Sequence, residues 1–294
     1  MSANDLMPSA GVLARESFIE LGARERARRL LDPDGQRELL GPFDAMYSPW
    51  LPRQGIVPQA DDGVVVLRGR LQGRDAVVLA IEGRFQGGSI GEVCGAKLAG
   101  SLELALRDCR AGRPVLPVLL LETGGVRLQE ANLGLAAIAE IQSAVVALRA
   151  HVPVVAVIAG MVGCFGGMSL VAGLCSDVII TRQARLGMNG PEVIEQEAGL
   201  EELDAADRRL VWSLIGGEQR VATGLADALV DDDAAAVRAR LLGVFDAPPR
   251  PPRSADIALW RGRIEALAGG AAGADPLALR DAWSPGAPAG AADR

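Results

Sequence analysis

Histidine and lysine are almost missing from this chain of 294 residues; each occurs once, as His151 and Lys97. A lone histidine excludes histidine-rich metal sites. Any Ser-His-Asp or Cys-His mechanism built from this chain alone would have to run through it. A lone lysine confines any Schiff base or biotin attachment to Lys97, because every other basic residue is arginine. The four cysteines, at 94, 109, 164 and 175, include no CxxC pair, which removes zinc ribbons and thioredoxin-type motifs. No metal site is implied. A basic surplus is also absent: the formal net charge of −7 leaves no basic face for a nucleic acid. The first ten residues are polar and lack the apolar stretch of a signal peptide. The reading is a cytoplasmic protein with reduced thiols.

What is present is ample apolar material, 49% of residues against 23% charged, enough for a full core. At roughly 150 residues per domain, the length predicts one large domain or two small ones. Residues 152–176 carry no charge and are long enough to span a bilayer. Their internal pattern argues otherwise. Pro153, Val154, Val155, Val157 and Ile158 read as a buried strand; Gly160, Gly163, Gly166 and Gly167 break the run; Met168–Leu174 resumes it. Strand, glycine turn and buried helix fit better than a membrane span, and no basic cluster flanks the run.

The same alternation organises most of the chain. Residues 15–31 have helical periodicity, with Ile19, Ala23, Ala27 and Leu30 near one face, stopped by Asp32-Pro33-Asp34-Gly35. A proline-containing connection leads to two β-rich runs, Gly63–Leu67 and Ala76–Ile81, joined by a hairpin turn at Gln72-Gly73-Arg74-Asp75. Helices are expected at 91–110, 128–150 and 167–175, and strands at 115–121, 153–159 and 177–181. Repeated strand, glycine turn and helix units predict an α/β fold with parallel, buried strands. Helical polar segments are expected over 201–230, and after Pro248 the composition shifts to Pro, Ala and Gly. The division is a helical extension and connection at 1–60, a main domain at 61–245, and a helix with a Pro/Ala/Gly-rich tail at 246–294. About the last 25 residues are expected to fray.

Three glycine turns follow strands and open helices, where backbone N–H groups stand free and the helix dipole is positive. They are Gly87-Gly88-Ser89-Ile90-Gly91-Glu92, Gly124-Gly125-Val126-Arg127, and Gly160-Met161-Val162-Gly163-Cys164-Phe165-Gly166-Gly167. Each such turn can bind an anion or an oxygen that becomes anionic in a transition state. Taken singly, each is explained as well by tight turning or close helix–strand packing. Three on successive units argue for a site between them. None fits GxGxxG or GxxxxGK[ST], so dinucleotide and P-loop readings fall.

These residues carry a family resemblance. Phe85–Glu92, then Gly124-Gly125-Val126-Arg127-Leu128-Gln129-Glu130, Gly166-Gly167-Met168-Ser169 and Gly187–Gln196 resemble, in order, the motifs of acyl-CoA carboxyltransferases. Ala23–Pro33 is similar to their opening segment, and the resemblance spans roughly residues 20 to 235. It implies a crotonase-like (ClpP/crotonase) fold, a spiral of ββα units that binds acyl thioesters. Within that superfamily the chain looks most like the β subunits of biotin-independent malonate decarboxylases. The runner-up is the carboxyltransferase β subunit of a biotin-dependent acyl-CoA carboxylase. The acetyl-CoA carboxylase version of that subunit carries an N-terminal four-cysteine zinc ribbon, whereas no cysteine precedes Cys94 here. Single-polypeptide carboxyltransferases hold two such domains; this chain has length for one. Hydratases of the superfamily place catalytic glutamates near the third turn, and no carboxylate lies between Gly166 and Asp177.

The resemblance implies decarboxylation of a malonyl thioester through an acetyl enolate, with an oxyanion hole at Gly124 and Gly125. The third turn, Gly163, Cys164, Gly166 and Gly167, is the second candidate for donors. Gly87, Gly88, Arg127 and Gly190 are assigned to substrate binding. The acid that protonates the enolate is left open: Glu130 and Glu92 are candidates, each equally readable as a helix N-terminal charge. Arg127 either neutralises a substrate anion or sits in an ion pair. His151 reads as a helix C-terminal cap, and Cys164, with nothing basic beside it in sequence, as a small buried residue. Tyr47 and Trp50 read as packing or interface residues. Implied partners are a related γ subunit that completes the active site in a heterodimer, an acyl-carrier protein subunit and an acyltransferase subunit. The substrate arrives on a phosphopantetheine-type, CoA-derived arm of the carrier. No cofactor is bound covalently, and Ala96-Lys97-Leu98 lacks the Met-Lys context of biotin attachment.

Overall fold

The computed structural model describes residues 15–268 and 275–283. The loose N-terminal end expected at residues 1–10 lies outside the described residues, as does most of the C-terminal tail. The first helix among the described residues, α1 (Ala23–Leu30), is shorter than its periodicity suggested; Ala23, Arg26, Ala27 and Leu30 form its buried face. Glu25 in its first turn and Arg28 and Arg29 in its last match the helix dipole. A short strand, β1 (Arg37–Leu39), then pairs antiparallel with β2 (Val64–Leu71). The segment read as a separate extension therefore supplies an edge strand of the main sheet.

Strand β2 turns back into β3 (Arg74–Ile81) through a two-residue loop, with Leu71 opposite Arg74. Gln72 and Gly73 both have positive φ, 52° and 77°, the primed turn that matches strand twist. Both amides of this turn donate to the Asp32 carboxylate, at 3.1 and 2.9 Å. From β3 onward the strands pair in parallel. β3, β4 (Leu116–Leu120), β5 (Val155–Ile158), β6 (Asp177–Thr181) and β7 (Ala228–Val230) lie side by side in chain order. Every residue of β4, β5 and β6 is buried, as expected for strands covered on both faces. Pro117 is tolerated in β4 because pairing with β5 begins only at Val118.

Three helices make the crossovers: α2 (Glu92–Arg110), α3 (Leu133–Leu148) and α4 (Gly167–Leu174). α3 buries Gly134, Ala137, Ile138, Ile141, Ala144, Val145 and Leu148, a helical-period apolar face. Each repeat also contributes a second, very short β contact at its turn: Ile90 bridges Val126, Thr123 bridges Cys164, and Cys164 bridges Leu186, all parallel. Strand, bridging turn and helix repeat three times, which is the expected spiral of ββα units.

Beyond β6 come α5 (Pro191–Ala198), α6 (Arg208–Ile215), α7 (Gly217–Ala222), β7, α8 (Ala234–Asp246), α9 (Ile257–Ala268) and α10 (Pro276–Trp283). The strand β7 lies within the stretch expected to be helical. The two ends of the fold are hooked together. Glu16 and Ile19 amides and the Ser17 hydroxyl donate to Asp233 and Asp232, and the Ala234 amide donates back to the Glu16 carbonyl. The uncharged run 152–176 resolves into β5, a turn and α4. No helix among the described residues is long and apolar enough to cross a membrane.

Leu119, fully buried at the centre of the sheet, tests this architecture. Leu119→Ala should lower stability by about 2–5 kcal/mol through lost burial and the residual cavity. Denaturant titration should show a lower midpoint with an unchanged slope.

Candidate active site

The turns at the C-terminal ends of β3, β4, β5 and β6 form one hydrogen-bonded stack. The Gly124 amide donates to the Gly87 carbonyl at 2.8 Å, and the Ile90 amide to the Gly125 carbonyl at 2.8 Å. The Thr123 amide donates to the Gly163 carbonyl at 2.8 Å, and the Phe165 amide to the Thr123 carbonyl at 2.9 Å. The Gly166 amide donates to the Met188 carbonyl at 2.8 Å, which brings in the fourth turn. Glycine permits this closeness. A Cβ on Gly88 would sit 1.9 Å from the Glu122 carbonyl oxygen. Gly166 adopts φ 63°, ψ −147°, outside the reach of ordinary side-chain-bearing residues, and a Cβ there would lie 3.0 Å from the Gly125 Cα.

This geometry redistributes the expected donors. The amides of Gly124 and Gly125, assigned to an oxyanion hole from the family motif, both have partners inside the chain. Gly124 donates to Gly87, and Gly125 donates to the Thr123 hydroxyl at 3.1 Å. The second-turn amide with no partner among the described residues is that of Val126. In the parallel bridge to Ile90, the neighbours Gly125 and Arg127 make the bonds, so the Val126 N–H faces the other way. That direction is the third turn: a Cβ built on Gly166 would lie 3.9 Å from the Val126 nitrogen. There the amides of Gly167 and Met168, the first two residues of α4, also have no partner among the described residues, as helix N-termini do. The sequence contained a signal for Val126, since alternate amides of a parallel ladder face opposite sides, but it required knowing the register.

Arg127 is engaged within the chain. Its side chain is 1% exposed and bonded to Asp62 and Glu130, each at 2.8 Å from Nη1. Nη2 donates to the Ser89 carbonyl at 3.1 Å, and the guanidinium lies over the Phe85 ring. The ion-pair reading of Arg127 therefore holds. Glu130 also accepts from the Ser48 hydroxyl and the Glu92 amide, both at 2.6 Å. Burial acts to raise the Glu130 carboxyl, but the Ser48, Glu92 and Arg127 donations outweigh it and hold it below the usual range. Asp62 goes the other way, because burial exceeds the pull of Arg127. Glu92, at the start of α2, accepts from the Trp50 indole at 2.5 Å, so Trp50 packs here as a polar pin.

Cys164 is fully buried, and burial raises its thiol well above the ordinary value, so its backbone serves the stack and its sulfur is no nucleophile. Gly163 is a structural corner: a Cβ would meet the Arg185 carbonyl at 2.7 Å. Gly87 is exposed and Gly88 buried in the first turn. Gly190 is the N-cap of α5 and joins the stack only through the fourth turn. His151 is exposed just past α3, on a cavity of about 370 Å³ that includes Arg149, Asp177, Arg240 and Arg250. That cavity is at the opposite ends of β5 and β6 from the turns. Lys97 is 2% exposed, its ammonium bonded to the carbonyls of Asp61 and Val64.

Arg127→Met should leave Asp62 and Glu130 buried without a cation. The expected loss is about 3–5 kcal/mol, read as a lower unfolding midpoint. Arg127→Lys should recover only part of it, since an ammonium does not reproduce the planar fork.

A family model described as the carboxyl transferase domain matches residues 20–251. The chain is 42% identical over 246 residues to the malonyl-S-ACP:biotin-protein carboxyltransferase MADC of Malonomonas rubra, covering 80% of this chain and 77% of that protein. A chain in the crystal structure of a Pseudomonas malonate decarboxylase hetero-tetramer in complex with malonate is 60% identical. It superposes with a TM-score of 0.87 over 93% of this chain and 99% of that one. A chain of the Pseudomonas MdcD–MdcE hetero-dimer is 56% identical, with a TM-score of 0.70 over 85% and 98% of the two chains.

Proposed function

The chain belongs to the carboxyl transferase domain family, and on that footing we propose that it is the β subunit of a malonyl-S-acyl-carrier-protein decarboxylase that works without biotin. The observation that carries the reading is the Val126 amide, which has no partner among the described residues and is turned toward the start of α4, where the Gly167 amide likewise has none among them. Identity to the Pseudomonas malonate decarboxylase chain, at 60%, supports the choice of reaction.

In the proposed step the bond between the malonyl carboxylate and Cα breaks and CO2 leaves. The electron pair moves into the thioester, so negative charge builds on its carbonyl oxygen. Amides of Val126 and Gly167 donate to that oxygen. One such preorganised donor contributes about 3 kcal/mol of transition-state stabilisation. The carbanion carbon then takes a proton, giving the acetyl thioester. Glu130 is an unsuitable acid, being buried, ion-paired and held ionised.

The partners proposed are a γ subunit forming a heterodimer, an acyl-carrier protein subunit that presents the phosphopantetheine-type arm, and an acyltransferase subunit. Similar chains occur in a hetero-dimer and a hetero-tetramer, which supports the first of these. Exposed Leu128, Leu135, Met161, Leu170 and Met188, on the turns and the helices they open, supply the apolar surface for the γ subunit. A cytoplasmic location belongs to the same proposal. The inaccessible Lys97 supports the absence of covalent biotin on this chain.

A second reading, a carboxyltransferase subunit passing the carboxyl group to a biotin protein, is favoured by the name and 42% identity of the Malonomonas relative. Purified β and γ subunits should release CO2 from malonyl-acyl-carrier protein with no biotinyl protein present. Absolute dependence on a biotinyl acceptor would establish the second reading instead.

The donor assignment has its own test. Proline is tolerated at the first position of a helix and lacks the N–H. Gly167→Pro should reduce kcat about 100- to 1,000-fold relative to Gly167→Ala. The alanine variant carries the same Cβ beside Ile138 and keeps the amide, so the ratio reads the loss of the N–H together with the ring that replaces it. Equal rates for the two variants would remove Gly167 from the mechanism.

A further inference from the structure

Glu122 is the last residue before the second turn, and it is only 8% exposed although charged. Its carboxylate forms an ion pair with Arg26 of α1, itself 5% exposed. Arg26 is held in turn by the Phe18 and Ile19 carbonyls, at 2.8 and 2.5 Å. The carboxylate also reaches both neighbouring turns. A Cβ on Gly160 would lie 1.9 Å from the Glu122 carboxyl carbon, and one on Gly83 would lie 2.6 Å from it. The Glu122 Oε1 accepts from the Val162 amide at 3.4 Å. The carboxylate thus fills the space that side chains at 83 and 160 would occupy, where the chain leaves β3 and β5.

We propose that Glu122, locked by Arg26, is a positioning residue that sets the spacing between the second and third turns. Its main chain leads into the Thr123–Val126 bend, while its side chain braces Gly160–Val162 from within. Those two segments carry the ladder Thr123–Gly163 and Phe165–Thr123, on which the Val126 and Gly167 amides are mounted. A neutral side chain cannot serve equally, because the buried Arg26 guanidinium needs a counter-charge. The effect on rate rests on the decarboxylase reading above; the bracing itself does not.

The test uses Glu122→Gln, Arg26→Gln and the double variant, each assembled with the γ subunit. Glu122→Gln keeps shape and should lower kcat by about 10-fold or more with KM changed less than about threefold, since alignment and not binding is altered. Arg26→Gln should lower kcat at least as far by leaving an unpaired buried carboxylate. The double variant should match Glu122→Gln alone and not the product of the two losses, the signature of one interacting unit. Hydrogen exchange on the isolated chain should show faster exchange at Val162 in Glu122→Gln. An unchanged kcat for Glu122→Gln against an active wild type, or multiplicative losses in the double variant, would overturn the proposal and leave the decarboxylase reading standing. An inactive wild-type complex would strike the decarboxylase reading alone; unchanged exchange at Val162 would then still reject the brace.

Discussion

Main-chain hydrogen bonds between successive turns are what the rest of the molecule depends on. Each ββα unit ends its strand in a turn that must bond to the turn before and the turn after, and the parallel register of β3 through β6 brings the turns to the same end. Backbone can approach backbone this closely only where side chains are missing, which is why glycine recurs at Gly88, Gly125 and Gly166. Once the stack is made, most of its amides are consumed by it. The few left over, at Val126 and at the start of α4, are fixed in direction by the same bonds. A preorganised donor costs nothing to orient when charge develops before it.

Charged side chains around the turns are structural supports. Arg127 with Asp62 and Glu130 supports the second turn from below and, through Ser48 and the Glu92–Trp50 contact, ties down the connection that precedes the sheet. Arg26 with Glu122 supports the junction with the third turn. Both groups are buried, so their geometry is exacting: removing one member leaves an uncompensated charge in a poorly polarisable interior.

Much of this was legible in the sequence. β-branched runs marked β5 and β6, the Gln72-Gly73 pair marked the hairpin, and four ordered glycine motifs marked the turns. β1 and β7 were missed because three residues give no period to read, and β7 sits among helical segments. The assignment of donors to Gly124 and Gly125 followed the family motif, and the substrate role of Arg127 followed residue type. Which way an amide faces depends on its place in a ladder, and whether an arginine is exposed depends on carboxylates 65 residues away, such as Asp62. Glu122 gave no signal because its partner Arg26 lies 96 positions upstream.

The hook between residues 16–19 and 232–234 has a temporal consequence. Synthesis runs from the N-terminus, so residues 16–19 are made more than 200 residues before Asp232 and Asp233, on which they dock. Contacts of such long sequence separation form late because loop closure must precede them. Arg26 hangs from that segment through the Phe18 and Ile19 carbonyls, so its lock on Glu122 closes after the spiral has wound. A nascent chain that stops short of residue 232 can therefore own a folded sheet and still hold its turns unlatched, and competence arrives only with residues 232–234.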